Sequence, residues 1–415
     1  MQICRQTGKL FIVVFLMMLY SINTTAQIQG CTDPPALNYN SSATINDGSC
    51  IYSTTSVSPD ISLNLDNRLV ETSGLVIWND RLWTHNDSDD INLYSLDTVR
   101  GNIIQSYTLE GTVNRDWEEI SQDRDFIYIG DFGNNSSGNR TDLMILRISK
   151  NSIVNERLII DTIRFSYPDQ TDFSPASSNY TDFDCEAFIV SADSIYLFTK
   201  QWISQKTTCY SLPKIPGTHT AVRKNTLDVR GLITGAVYLE SKKLIALCGY
   251  TPLLEPFIFL LYDFNNPDFF SGNKRRIDIS LPFHQTEGIT TSDGLKYYIT
   301  NEYFQFLNIR QKLHIVSLDP FLQHYLKPGN PSVDRPGKND DYKVYLVRED
   351  NCLIVKKKEN DRNEDYSLIS LSGQTVLRGK LYGKENVINI SHLTSGLYLF
   401  RIGKNSIHPV KLIKI

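Results

Sequence analysis

The sequence predicts an all-β protein: a five-bladed β-propeller followed by a small β-sandwich. The first observation behind this is a recurring pattern. An acid or Thr is followed by a small residue, a short strand, a turn, and an aromatic-rich strand ending in polar residues. Copies are read at Glu71-Thr-Ser-Gly-Leu75, at Glu118 within NRDWEEISQDRDFIYIGDFGNN (114–135), at Asp184-Cys-Glu-Ala-Phe188, at Thr234-Gly-Ala-Val237 and at Glu287-Gly-Ile-Thr290. The intervals are 47 residues from Glu71 to Glu118, 68 to Glu186, 48 to Thr234 and 53 to Glu287; repeats of roughly 40–50 residues with about four strands each are propeller spacing. The second observation is an aromatic content of 11%, with 22 Tyr, which favours strands over helices. The third is a run of seven short strands after a turn-rich stretch at 328–341, enough for a small sandwich. Six blades is the alternative if the 118-to-186 interval holds one more.

The first element in order is a secretory signal at 1–26. Arg5 and Lys9 form its basic end, 10–20 is an eleven-residue apolar run, and Thr24-Thr-Ala26 supplies small residues for cleavage. Eleven residues are too few to span a bilayer, so no transmembrane segment is expected in the mature chain. Cleavage removes the charges of Arg5 and Lys9 and takes the formal net charge from −4 to −6. A mildly acidic chain without a basic block excludes nucleic acid as a natural partner.

Residues 27–59 hold Cys31 and Cys50 around an Asp-, Asn- and Pro-rich stretch, then a Ser/Thr linker at 53–59. So short a segment cannot bury a core, and export permits a covalent staple, so a Cys31–Cys50 disulfide is expected. Asp33, Asn38 and Asp47 have calcium-ligand chemistry, although turn formation explains the same residues. Ile28-Gln-Gly-Cys31 also loosely resembles a lipoprotein cleavage box, which would lipidate Cys31 instead. Cys185 and Cys209 are placed to pair within one blade, and Cys248 is expected to be buried.

The propeller is expected over 60–327. Its strands are read at 73–78, 81–85, 91–96 and 103–109; at 117–121, 126–130, 143–148 and 158–167; at 186–190, 194–199, 207–212 and 220–229; and at 234–239, 244–249, 257–264 and 275–281. The fifth set, 288–291, 296–300 and 312–317, lacks an outer strand, while a strand at 60–67 lacks a sheet. Sharing one blade between the two ends leaves neither edge free. The longest loop is 168–182. After the linker at 328–341, the last domain covers 342–415.

The common catalytic motifs are missing: no G-x-S-x-G, H-E-x-x-H, C-x-x-C, dinucleotide fingerprint or P-loop occurs. What remains is the repeat itself. In a propeller the first strand of each blade lines the channel, so Glu71, Glu118 or Glu119, Glu186 and Glu287 are expected to converge. Antiparallel pairing then brings the polar ends of the second strands, Asn86, Asp87, Asp131, Lys200, Asn301 and Glu302, to the same mouth. Clustered carboxylates repel one another unless a cation, a lysine or shared protons intervene. Calcium or another divalent cation is therefore the cofactor to test, with the four glutamates as ligands. The competing reading makes each acid an acceptor for backbone amides of the next blade.

Several stretches resemble known families. CTDPPALNYN…NDGSC (31–50) resembles an element of bacterial surface proteins exported by the type IX system. Ser367-Leu-Ile-Ser-Leu-Ser-Gly-Gln-Thr-Val376, Asn389-Ile-Ser-His-Leu-Thr-Ser-Gly-Leu-Tyr-Leu399 and Lys411-Leu-Ile-Lys-Ile415 resemble the C-terminal type A sorting domain of type IX cargo. The resemblance implies delivery by the type IX machinery, through the periplasm, to the cell surface or the medium. E-x-S-G-L, L-W-T-H-N-D, N-x-D-W-E-x-I, Y-I-G-D-x-G-N-N and D-x-E-A over 71–302 resemble exported bacterial propellers largely without assigned function. More distantly, the acids resemble those of gluconolactonase/regucalcin propellers and the esterase-like domain of phytases, which use a divalent ion at the channel mouth. The expected function is therefore a secreted or cell-surface binding or scaffold module. The alternative is a divalent-metal-dependent hydrolase of an ester, lactone or phosphoester, with Glu118, His85 or Asp116 as base.

Overall fold

The computed structural model describes residues 27–326 except 156, together with 342–347, 352–357, 363–370, 374–394, 396–402 and 410–414. The expected signal peptide and the linker at 328–341 lie outside the described residues. The chain is nearly all β. Four sheets run in sequential antiparallel order from Thr72–Trp78 to Ile103–Thr108, Trp117–Gln122 to Ile160–Ser166, Asp184–Val190 to Val222–Asp228, and Leu232–Leu239 to Asn273–Ile279. Short turns make this possible. Asn79 and Asp80, at φ 49° and 57°, form the two-residue primed turn that joins Trp78 to Arg81.

The fifth sheet has only three sequential strands, Thr286–Thr290, Lys296–Asn301 and Lys312–Ser317. Ile61–Asn64 completes it, with Leu63 opposite Leu313. The unpaired strand expected at 60–67 thus fills the place left empty at 312–317, because each otherwise exposes unpaired amides and carbonyls.

Five apolar cores separate the sheets. Trp83 and Leu93 of the first meet Ile129 and Leu146 of the second. Ile145 and Ile163 of the second meet Phe188 and Leu197 of the third. Phe198 meets Leu247 and Phe259 of the fourth, and Ile258 and Tyr262 meet Tyr297 and Val316 of the fifth. Tyr298 and Leu313 of the fifth then meet Leu82 and Tyr94 of the first. Both faces of every sheet are therefore covered, so many of these strands read as near-continuous apolar runs, as at Pro256–Tyr262.

Some expectations need correction. Cys185 and Cys209 do not pair: Cys185 faces the core shared with the second sheet and Cys209 the core shared with the fourth. Cys248 is buried, as expected. The strand expected at 220–229 starts at Val222, and Gly217–Thr220 instead crosses to pair parallel with Ile160–Ser166. Ser56–Val57, read as linker, pairs parallel with Asn273–Ile279. Both additions cover an outer edge. The long 118-to-186 interval is filled by the short helix Lys150–Val154 and the irregular stretch 167–183, without another strand before Asp184.

The Cys31–Cys50 disulfide forms, as expected. Asn38 and Asp47 accept the amides of Ile51 and Ser49 as turn residues. Asp33 accepts from the hydroxyls of Tyr52 and Tyr262 and faces His324 at 2.6 Å, which docks the stapled element on the fourth sheet. The last seven strands, Tyr342–Val347 to Val410–Lys414, form two sheets whose facing residues Leu353, Val355, Leu368 and Phe400 share a core.

Candidate functional site

The first strands of the five sheets approach one another so closely that side chains are restricted at the contact. A Cβ on Gly74, whose φ is +38°, would stand 2.5 Å from Ile120 N, and one on Gly235 would stand 2.3 Å from Glu287 O. This is the physical reason for the small residue in the repeat. The strands also bond directly: Ser73 Oγ donates to Glu118 O, and Thr234 Oγ1 donates to Thr286 O at 2.5 Å. At the same level the pairing of every first strand with its second shifts register. Such bulges re-aim a side chain out of the pleat.

The re-aimed Glu118 and Glu186 collect beside Asp184, which precedes the shift in its strand. Glu118, Asp184 and Glu186 are all buried, and their carboxylate oxygens lie within 4.8 Å of one another. One cation sits among them: Lys200 Nζ is 2.8 Å from Glu186 Oε1 and lies over the Trp202 and Tyr250 rings, at 4.6 and 5.2 Å from their centroids. Asp184 accepts from Asn134 N at 2.6 Å and Trp202 Nε1 at 2.7 Å. Glu287 is only 6% exposed, yet its Oε2 has no hydrogen-bond partner.

These surroundings set the protonation. Burial, reinforced by the other acids, lifts Glu118, Asp184 and Glu287 well above the usual carboxylate range. Burial and then Glu302 and Glu71 push Asp87 to about 8, and burial lifts Glu302 to about 7. Asp116 rises to about 6 through burial and the nearby Asp184. Lys200 is the reverse case. Burial disfavours its charge, but Glu186 and its neighbours outweigh that and keep it an ammonium.

Of the four glutamates expected to share an ion, Glu118 and Glu186 come together. Glu287 lies close enough to Glu186, Glu302 and Asp87 for each to raise its pKa. Glu71 precedes its strand, is exposed and accepts from Ser88 Oγ, because in the first sheet the register shift falls between Ser73 and Val76, past Glu71. Asp87 and Glu302 join the acid group. Asp131 is buried and held by Arg140 at 2.8 Å. Asn86 donates to Arg68 O and Asp90, and Asn301 donates to two backbone carbonyls, so both amides brace loops. His85 is fully buried, edge-on to Trp117, and burial lowers it to about 4. Glu119 follows the competing reading: its carboxylate accepts Ile120 N at 2.9 Å and Ala236 N at 2.5 Å. Sequence reasoning missed Asp184 as a site residue. The signal was a second acid two residues before Glu186 at the start of the same strand, although the shift between Cys185 and Ala187 breaks the simple alternation there.

Residues 349–415 match the model of the secretion system C-terminal sorting domain. No curated protein matches the chain. Among solved structures, the chain is similar to PorZ, a surface component of the type IX secretion system of Porphyromonas gingivalis, at 10% identity and TM-score 0.32 over 82% of this chain. It spans 44% of that protein's length. The WD40 repeats of RRP9 align at 7% identity and TM-score 0.35, over 64% of this chain and 99% of that one. Among the described residues, no helix is long and apolar enough to cross a membrane. The sorting domain places the chain in the type IX export route, to the cell surface or the medium.

Proposed function

We propose that residues 60–327 form a five-bladed β-propeller, with 342–415 as its sorting domain, and that the exported protein is a binding module. Its ligand presents an organic cation to the acid group. The propeller reading is supported by the five shared cores, the last of which joins the fifth sheet to the first. It is also supported by a cavity of about 230 Å³ touched by all five first strands, through Leu75, Ser121, Val190, Ala236 and Thr290.

The observation that carries the binding reading is the unpartnered Glu287 Oε2 within a buried acid group that contains a single ammonium. Lys200 already illustrates the accepted chemistry, an ammonium on a carboxylate between aromatic faces. A guanidinium or ammonium bonds several separated carboxylates at once. A divalent ion sharing Glu186 would sit beside the Lys200 ammonium, and that repulsion is on the order of several kcal/mol at an effective dielectric of about 20.

N-acetylarginine amide should raise the melting temperature, and its citrulline counterpart should not. Affinity should strengthen as pH rises from 6 to 8, because Asp116, Glu302 and Asp87 lose protons near 6, 7 and 8 and become attractive. Glu287→Gln should weaken binding about tenfold, the loss of roughly one charge-assisted hydrogen bond. Equal affinities for the arginine and citrulline amides would sink the reading.

The second reading, a metal-dependent hydrolase, is favoured by the mutual reach of Glu118, Asp184 and Glu186. With Glu118 a ligand and His85 enclosed, Asp116 is left as its base. That reading requires chelation to lower the melting temperature and calcium to restore it.

A further inference from the structure

The loops that surround the acid group form a continuous collar. They are joined by backbone hydrogen bonds that link the loops of each sheet to the segment that enters the next: Trp117 N to Asp87 O, Asn179 N to Asn135 O, Gly231 N to Gln205 O, Phe283 N to Leu254 O and Tyr303 N to Val70 O. They lie at one end of the sheets because each first strand starts, and each second strand ends, beside the acids. This collar carries large apolar side chains in solvent. Leu253 is 71% exposed and Phe306 87%, and Val113, Tyr180, Ile203 and Phe283 are also exposed. Isolated exposed apolar residues are ordinary. Here they recur on loop after loop, around one buried acid group that holds an unpartnered carboxylate oxygen.

We propose that this end of the molecule docks a polypeptide segment in which a basic side chain is flanked by large apolar ones. The arginine or lysine enters the acid group, toward Glu287 Oε2, and the flanking residues cover the collar. The inference rests on the cation-binding reading and adds the class of ligand. Charge complementarity favours this occupant. The acids would repel an anionic lipid surface or a nucleic acid. A polyamine or free amino acid would leave the collar uncovered. Aromatic and Arg anchors set in an apolar surround are also the composition that dominates protein interfaces.

A phage-displayed random heptapeptide library selected on the full chain tests this. Enriched peptides should combine Arg or Lys with Trp, Phe, Leu or Met within a few positions. The corresponding synthetic peptide should bind at least tenfold more tightly than N-acetylarginine amide. Phe306→Ser with Leu253→Ser should bring the peptide down to the level of N-acetylarginine amide, without changing the affinity for that amide itself. Val99→Ser and Ile215→Ser, exposed on turns at the opposite end of the sheets, should change neither.

No enrichment, or enrichment of basic peptides without apolar residues, would overturn the inference while leaving the cation site intact if the amide still binds. Apolar peptides without a basic residue would overturn it as well. A chain that sediments as a dimer and becomes monomeric on Phe306→Ser would make the occupant a second copy and equally overturn it. If N-acetylarginine amide itself fails to bind the wild type, the underlying cation reading fails first.

Discussion

Glu118 and Glu119 are adjacent in sequence, both buried and differently used. Glu119 is a structural acceptor, because the close approach of the first strands points the amides of Ile120 and Ala236 at its two oxygens. Its carboxylate therefore ties the second sheet to the fourth. Burial raises its pKa, and these backbone bonds only partly offset that. Glu119→Ala should cost about 2–4 kcal/mol, because it leaves buried amides without acceptors, and Glu119→Gln should cost about half as much. Urea unfolding followed by tryptophan fluorescence measures both. An alanine variant as stable as the wild type would show that water replaces the carboxylate. Residue identity was legible in the sequence and this division of labour was not. It depends on which of two neighbours the register shift turns toward the next sheet.

At the scale of the element, the stapled segment 27–57 is docked by one buried carboxylate together with the Ser56–Val57 pairing and the hydrogen bonds of Asn46 and Lys274. Burial alone would raise the Asp33 pKa, but hydrogen bonds from His324, Tyr262 and Tyr52 outweigh it and leave the group below its usual value. A carboxyl depressed in the folded state contributes stability that is present above its unfolded pKa and lost as pH falls through the folded one. The segment should therefore loosen below about pH 4 while the sheets persist. At neutral pH, Asp33→Ala should do the same, at about 2–3 kcal/mol, by removing the acceptor that Tyr52, Tyr262 and His324 share. Hydrogen exchange within 28–57 reports this, and unchanged protection in the alanine variant would refute it. The disulfide was readable from composition and export. The docking was not, since Tyr262 is 229 residues from Asp33.

For the whole molecule, the sorting domain makes the last strand an address as well as a structural part. Val410–Lys414 pairs along Gly396–Ile402, so its removal also exposes that strand's edge. Deletion of residues 406–415 should retain the protein in the periplasm, as fractionation with an immunoblot would show. Normal surface or medium levels of the truncated chain would contradict the assignment. Both effects, lost address and bared edge, predict retention; a soluble periplasmic product that keeps the wild-type melting temperature of 60–327 would isolate the address.

Strand positions, the stapled cysteines and the sorting tail were determined by the sequence itself. Each follows from local signals: period-2 alternation, turn residues at fixed offsets, and motifs within a few dozen residues. Even the pairing of Ile61–Asn64 with Lys312–Ser317 was legible, because one unpaired strand and one incomplete sheet specify each other. The tertiary structure alone decided which acids meet. The register shifts leave Glu71 exposed at the rim beside Asp87, turn Glu118 and Glu186 toward Asp184, and leave the buried Glu287 Oε2 without a partner. A single-residue slip reverses the face a side chain occupies. That slip is set by the close approach of five strands far apart in the chain, which no local pattern encodes.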